Sequence, residues 1–246
     1  NEAIEFVHRA PPHAAVELLE RRHPAQRRLI FEELLAHHLS MRQLRLHIKS
    51  HQSPIFQTKS PLAEQLIVTL PFTLTRAQSR VIEEITQDVA NHEPMMRLVQ
   101  GDVGSGKTIV AAIASALAID SGYQVALMAP TELLAEQHYR QFHQWFQPIS
   151  IEVSWLTGKM PRKQRERYQA DIASGQAQVV VGTHALFQKD VHFKRLGLII
   201  IDEQHRFGVH QRFALHQKGA QDNIYPHQLI MTATPIPRTL AMTAYA

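Results

Sequence analysis

The sequence of 246 residues contains no cysteine and no long apolar run. The absence of cysteine excludes disulfide bonds and thiolate metal ligands, and it is typical of proteins that work in a reducing compartment. No apolar stretch approaches the about 20 residues that cross a bilayer, and the N-terminus lacks the pattern of a signal peptide. We therefore expect a cytoplasmic protein without a membrane partner.

A strong excess of one charge is also lacking. The chain has 26 basic and 22 acidic residues, a net charge of +4, so its pI near 9.5 hints at a polyanionic partner without establishing one. The composition, 44% hydrophobic and 20% charged, is that of an ordinary globular protein with one large or two small domains. The 16 histidines are scattered, which favours exposed side chains over a metal site. The start at Asn1 and the end at Ala246, inside an apolar helical pattern, predict a fragment of a longer chain.

The clearest motif is GDVGSGKT, which matches the phosphate-binding pattern G-x-x-x-x-G-K-[ST] at every fixed position. An apolar run at 96–99 precedes it as a strand, and apolar residues at helical spacing follow it, which disfavours a glycine-rich turn with a chance lysine. Lys107 is predicted to lie between the β- and γ-phosphates, and the Thr108 hydroxyl to bind a magnesium ion. We assign the whole loop to ATP binding: Gly101, Asp102, Val103, Gly104, Ser105, Gly106, Lys107 and Thr108.

The N-terminal part predicts helices. The pattern is helical from 11 to about 50, polar residues with two prolines at 52–60 indicate a linker, and a short apolar helix ends near Pro71. Basic residues on these helices either contact a phosphate backbone or only face solvent. We expect two domains, a helical segment at 1–70 and a nucleotide-binding lobe at 71–246.

The rest of the chain alternates strands and helices. Apolar runs predict strands at 124–129, 151–156, 179–182, 196–201 and 228–231, with helices at 132–146 and 161–173. Strands that are apolar on both faces and alternate with helices are typical of a doubly wound α/β fold with a mostly parallel sheet. Ligands bind such sheets at the carboxyl ends of the strands.

A glutamine lies one turn inside the helix that follows FTLTRAQ. Thr75 is a natural N-cap for that helix. The Gln78 amide offers the donors and the acceptor that reading an adenine edge requires, and Phe72 is placed to stack on the ring. A solvated glutamine is the alternative, which the nearby phosphate-binding loop disfavours.

An acidic pair, Asp202 and Glu203, directly follows the apolar run LGLIII. Carboxylates at the end of a buried strand are costly unless they serve a cation or a catalytic water, so a plain surface turn is the poorer interpretation. We predict that Asp202 holds magnesium through its water shell and that Glu203 deprotonates the attacking water. We expect Gln204 and His205 to link the nucleotide side to whatever binds on the opposite face.

Small and hydroxylated residues follow the other strands, at Pro130-Thr131, Thr157-Gly158, Thr183-His184 and Thr232-Ala233-Thr234. Each is by itself a cap or a turn, but together they suggest an edge that contacts nucleic-acid phosphates without reading bases. A basic run lies beside this edge and either adds phosphate contacts or forms a solvated helix face: Lys159, Arg162, Lys163, Arg165 and Arg167.

Five motifs together resemble those of superfamily 2 helicases: GDVGSGKT, APTELLAEQH, VVVGTHAL, DEQHRFGVHQR and MTATPIPRT. They are most similar to the RecG family, bacterial ATP-dependent helicases that remodel branched DNA. The resemblance covers about residues 70–246, and the N-terminal helices look like the segment that joins that family's wedge domain to its motor. It implies a RecA-like lobe that uses ATP and Mg²⁺, contacts branched double-stranded DNA through its backbone, and works as a cytoplasmic, nucleoid-associated monomer in recombination and repair.

The resemblance also assigns roles. Gln78 would read adenine, Lys107, Thr108, Asp202 and Glu203 would serve hydrolysis, and Thr232 with Thr234 would couple nucleotide state to DNA grip. The family's second lobe, with its arginine finger, and its wedge are absent, so hydrolysis by this fragment is expected to be nearly nil.

Three rival functions remain open. Transcription-repair coupling translocases share HRFG and ATPIPRT, but they usually have a glutamate at the position of Gln204 and an aromatic residue at that of Ser105. The other two are a P-loop kinase or small-molecule ATPase, and a DNA-binding module whose nucleotide site is structural.

Overall fold

A computed structural model describes residues 2–11, 14–20, 23–49, 51–158, 160–188, 190–203 and 224–233. The described residues divide into two compact units, one up to Ile48 and one from Lys49 to residue 233. The first unit contains the helices α1 (Glu2–His8), α2 (Ala15–Leu19) and α3 (Pro24–Lys49). Proline suits the first position of α3, where its missing N–H removes no hydrogen bond. The His23 ring accepts a hydrogen bond from the Ala25 N–H at 3.2 Å and so caps the helix start.

The second unit is built on a six-stranded sheet, with the strand order β1-β6-β5-β2-β4-β3 and every neighbouring pair parallel. Four strands are buried along their whole length, as expected when helices cover both faces. The predicted parallel α/β fold is confirmed. The strands are β1 (Met96–Gln100), β2 (Gln124–Met128), β3 (Val153–Leu156), β4 (Val179–Gly182), β5 (Leu196–Asp202) and β6 (His227–Thr232).

Five α-helices of this unit lie within the described residues: α4 (Pro61–Thr69), α5 (Arg76–Val89), α6 (Lys107–Asp120), α7 (Glu132–Phe146) and α8 (Arg162–Ser174). Two short 3₁₀ helices, Gln147–Ile149 and His184–Phe187, follow α7 and β4. The helix α6 is buried from Ile109 to Ile119 because α4 and α5 pack on one side of it and β2 and β5 on the other. Thr75 caps α5 as predicted, in a reciprocal capping box with Gln78. Among the described helices, none has both the length and the hydropathy needed to cross a membrane.

Residues 52–60, which the sequence suggests as a linker, contain no helix, but several of them are packed into the second unit. Phe56 is buried in the main core, and its N–H donates to the Val89 carbonyl at 2.8 Å. The Ser53 N–H donates to the His92 carbonyl at 2.8 Å. The polar segment is therefore a loop that the buried Phe56 and these backbone hydrogen bonds attach to the second unit.

His227, the first residue of β6, holds this loop in place. Its Nδ1 accepts from the Met95 N–H at 3.0 Å, and its Nε2–H donates to the Pro54 carbonyl at 2.6 Å. These two partners fix one neutral tautomer. Burial lowers the pKa of His227 from 6.5 to about 4, and a proton on Nδ1 would also face the Met95 N–H.

Because His227 is buried in its neutral form, we expect the protein to become less stable to unfolding in mild acid. The His227 side chain takes up a proton near pH 6.5 in the unfolded chain and only near pH 4 in the folded chain. Its contribution to the free energy of unfolding therefore falls by about 3 kcal/mol across that window and changes no further below it. The variant His227→Gln lacks this pH-dependent contribution. The difference in the free energy of unfolding between the wild type and the variant should therefore become smaller as the pH falls. Urea unfolding of the two proteins at steps from pH 7 to 4 measures it.

The matched control is His143→Gln, because His143 is exposed on α7. This variant should follow the wild type at every pH. A gap between the wild type and His227→Gln that stays constant from pH 7 to 4 would show that His227 does not titrate in this window.

Candidate nucleotide-binding site and sheet edge

The predicted phosphate-binding loop connects β1 to α6. Gly104 and Gly106 both have φ of +82°, a conformation that favours glycine, and Gly106 is the N-cap of α6. The Lys107 ammonium donates to the carbonyls of Gly101 at 2.7 Å and Asp102 at 2.9 Å. The loop therefore wraps around its own lysine, next to the positive end of a helix.

The loop has the features that a phosphate chain needs. Lys107 and Thr108 are the first two residues of α6, so their N–H groups have no carbonyl one turn earlier in the helix and are available to an anion. The next N–H, of Ile109, donates to the Gly106 carbonyl at 3.2 Å. Val103 is 89% exposed, and a Cβ on Gly104 would meet nothing within 4 Å, so the tip of the loop is open. The residues present fit the phosphates of a nucleotide.

Gln78 lies directly against this loop. Its Oε1 accepts from the Thr75 N–H at 2.9 Å, and its Nε2 donates to the Ser105 carbonyl at 3.0 Å. A Cβ on Gly106 would lie 2.2 Å from the same Nε2, so glycine at that position permits the approach. Phe72, which lies six residues before Gln78 in the sequence, is 45% exposed. Adenine recognition by Gln78 and Phe72 stays a prediction.

Asp202 is the last residue of β5 and is only 8% exposed. Its Oδ2 accepts a hydrogen bond from His138 Nε2 on α7 at 2.7 Å. In the sheet, Asp202 pairs with Met231 of the neighbouring β6. A carboxylate thus stands at the carboxyl edge of the sheet, two strands away from the strand that leads into the phosphate-binding loop.

Glu203 follows with φ of +50°, a left-handed conformation that is uncommon for a residue with a side chain. Its N–H donates to the Met231 carbonyl at 2.9 Å. Its Oε1 accepts from the Ala233 N–H at 3.0 Å and its Oε2 from the Thr232 hydroxyl at 3.3 Å. The carboxylate is therefore oriented by the residues that end β6.

Thr232 also connects these residues to the phosphate-binding loop, because its carbonyl accepts from the Gly101 N–H at 3.3 Å. The ends of β1, β6 and β5 thus bring the loop, Thr232 and the acidic pair to one edge. Thr108 is the second residue of α6 and half-buried. Among the described residues, no group of three or more histidines and carboxylates could hold a metal, so a magnesium ion bound by Thr108 and Asp202 would keep most of its waters.

The remaining predicted contact residues differ in exposure. The exposed Thr131 caps α7 by accepting from the Leu134 N–H at 3.3 Å, whereas Thr157 and Thr183 are only 7% and 4% exposed. Gly158 and His184 are exposed and Pro130 is half-buried. These residues follow β2, β3 and β4, the three strands beyond β5. Gln204, His205 and Thr234 lie outside the described residues.

In the basic run, Arg165 donates to Asp190 at 3.0 Å and also to Gln188. A hydrogen bond from Gln169 is the largest cause that lowers the pKa of the Asp190 carboxyl. The charge and the hydrogen bond of Arg165 also lower it. Arg162 pairs with Glu166 at 2.8 Å. Lys163 and Arg167 are exposed, and Lys159 lies outside the described residues.

Sequence reasoning missed His138. It is buried, with its Nδ1 unpaired within the described part of the chain, and its Nε2 is hydrogen-bonded to Asp202. The only available signal was its position at the end of APTELLAEQH, seven residues after Thr131.

Comparison with known proteins agrees with the geometry. The model of the DEAD/DEAH box helicase family matches residues 75–243, and the chain belongs to that family. A structure of an ATP-dependent RNA helicase from Sulfolobus tokodaii, described as hypothetical, has the same fold at a TM-score of 0.54 and 21% identity, over 74% of this chain and 52% of that one.

More specific similarity is to RecG. The ATP-dependent DNA helicase RecG of Pasteurella multocida is 59% identical over all 246 residues. A structure of RecG bound to a three-way DNA junction superposes with a TM-score of 0.77 at 43% identity, over 90% of this chain and 29% of that chain. The chain spans 36% of the length of the Pasteurella relative.

Proposed function

We propose that this chain is the ATP-binding part of a RecG-type helicase that remodels branched DNA, with residues 1–70 as the segment preceding the motor and 71–246 as its first lobe. The observation that carries the proposal is the convergence of the phosphate-binding loop, Asp202, Glu203 and Thr232 on one sheet edge. The 59% identity to a RecG helicase over the whole chain, and the similarity to a RecG structure bound to a three-way DNA junction, support the branched substrate.

ATP is the proposed substrate of this edge. On binding, the Lys107 ammonium would exchange the Gly101 and Asp102 carbonyls for phosphate oxygens, which are charged and therefore better acceptors. Magnesium, held by Thr108 and Asp202, would neutralise charge on the phosphates. Gln78 and Phe72 would hold the adenine. The Gln78 amide nitrogen has a second hydrogen beside the one donated to the Ser105 carbonyl, and that hydrogen is available to the base.

Glu203 is the proposed general base. Donors from Ala233 and Thr232 hold its two oxygens, which keeps the carboxylate in one orientation at the end of the sheet. A base oriented in this way accepts the proton of the attacking water as the water oxygen bonds to the γ-phosphorus. The bond between that phosphorus and the β–γ bridging oxygen breaks, and ADP is the leaving group. The same two donors belong to the end of β6, so movement there would change the alignment of the base.

DNA contacts are proposed at the ends of β2, β3 and β4. The exposed members, Thr131, Gly158 and His184, with Pro130 beside them, offer backbone and hydroxyl groups suited to phosphates. Thr157 and Thr183, being buried, would act mainly by shaping this edge. Together with Gln204, His205, Thr232 and Thr234, these residues would couple DNA grip to the nucleotide, in a monomer whose second lobe closes the site.

The test compares ATP hydrolysis by the intact protein with forked, linear duplex and single-stranded DNA at fixed salt. Forked DNA should stimulate most. Lys107→Ala should lower the stimulated rate by on the order of 10²-fold or more, since one preorganised charge contributes that much. The control is Lys59→Ala, because Lys59 is exposed at the end of the loop before α4.

Each rival gives a different result. Equal stimulation by linear and forked DNA favours a translocase of the transcription-repair coupling type. Hydrolysis that no DNA changes favours a kinase or small-molecule ATPase. Branch migration that survives Lys107→Ala favours a DNA-binding module whose nucleotide site is structural.

A further inference from the structure

The starting observation is how the carboxylate of Asp202 is satisfied. It is 8% exposed, and a buried carboxylate is stable only with a hydrogen-bonding partner. Within the described part of the chain, the partner of its side chain is His138, through the bond of 2.7 Å to Oδ2. This bond leaves Oδ1 without a protein donor among those residues.

The histidine is as buried as the carboxylate. His138 is 8% exposed and lies in the buried face of α7, together with Ala135 and Phe142. Because a carboxylate accepts, Nε2 carries the hydrogen, and Nδ1 is left as a buried atom without a partner among the described residues. An unpaired buried nitrogen is unfavourable, so packing alone does not account for a histidine at this position.

The pair also connects two parts of the sheet edge. The helix α7 begins after Thr131 at the end of β2, and β2 is the sheet neighbour of β5, which ends at Asp202. His138 is seven residues into that helix, two turns from Thr131. A single hydrogen bond thus joins the helix whose start is a proposed DNA contact to a proposed magnesium carboxylate.

We infer that His138 is a positioning residue for nucleotide hydrolysis: it holds Oδ2 of Asp202, so that Oδ1 is presented to the water shell of the magnesium ion. The inference rests on the proposed function. In metal sites, groups that orient a ligand in this way typically change metal affinity or activity by about 10- to 100-fold when they are removed.

The experiment uses two substitutions of similar size in the intact protein. The amide of His138→Gln places a donor near the former Nε2, whereas His138→Leu fills the same space without one. A fluorescent ATP analogue is titrated with Mg²⁺, and the Mg²⁺ concentration for half-maximal binding is measured. We expect it to rise about 10- to 100-fold in His138→Leu and to stay within a few-fold of the wild type in His138→Gln.

His143→Leu, on the exposed face of α7, is the control and should leave the Mg²⁺ midpoint unchanged. Thermal melting without Mg²⁺ shows whether each variant is folded. If the leucine variant is not, His138→Asn replaces it, because its shorter amide does not reach Asp202. Equal Mg²⁺ midpoints for the variants with and without a donor in reach would overturn the inference.

Failure of the proposed function gives a different pattern. If Lys107→Ala binds the analogue and hydrolyses ATP like the wild type, the nucleotide site itself is wrongly assigned. If Lys107→Ala loses both while His138→Leu keeps the wild-type Mg²⁺ midpoint, the site stands and only the role of His138 is refuted.

Discussion

Glu203→Gln is expected to lower DNA-stimulated ATP hydrolysis by the intact protein by about 10²- to 10⁴-fold, the usual contribution of a general base. Nucleotide binding should remain. The amide keeps an oxygen that can accept from the Ala233 N–H and a nitrogen that can donate to the Thr232 hydroxyl, so these two contacts of the side chain can be reproduced. What the amide cannot do is accept the proton of the attacking water.

Phosphate release measures the rate, and binding of a fluorescent ATP analogue measures occupancy of the site. Glu83→Gln is the matched control, since Glu83 is exposed on α5 and should leave both quantities unchanged. Hydrolysis by Glu203→Gln at the wild-type rate would show that another group takes the proton. Loss of nucleotide binding together with hydrolysis would instead show that Glu203 supports the site's structure.

Much of the second unit could be predicted from local patterns. The strand at 179–182 and the helix at 132–146 have the predicted bounds, because apolar runs and caps determine both within a few residues. The ends of a strand were harder to predict where pairing with a neighbouring strand, and not the apolar run, determines them. Asp202 is included in β5 because it pairs with Met231, and β3 begins only at Val153, where its pairing with β4 starts.

The contacts of individual side chains could not be read from spacing. His138 and Asp202 are 64 residues apart in the sequence, and His227 meets Pro54 across 173 residues. Burial of Thr157 and Thr183 depends on neighbouring strands and helices in the same way. The sequence therefore indicates which residue types reach the sheet edge, and the fold decides which of them are exposed there.

Residues 1–246 alone are expected to hydrolyse ATP about 10³- to 10⁵-fold more slowly than the intact protein, with or without forked DNA. The physical reason is charge. The transition state of γ-phosphoryl transfer carries negative charge that an arginine from a second lobe would stabilise in the proposed enzyme. Arg97, on the strand that leads into the phosphate-binding loop, cannot serve, because Glu84 and Asp88 of α5 hold its guanidinium.

The nucleotide affinity of this chain should be in the millimolar range or weaker, roughly −4 kcal/mol, because only one side of the ligand is contacted. Anisotropy of a fluorescent ATP analogue and phosphate release measure the two quantities, with circular dichroism to verify folding. Lys107→Ala in the same chain should abolish the residual binding, which would place that binding at the phosphate-binding loop. Robust DNA-stimulated hydrolysis by residues 1–246 would mean that the charge on the γ-phosphate is stabilised from within this lobe, and the need for a second lobe in the chemical step would have to be abandoned.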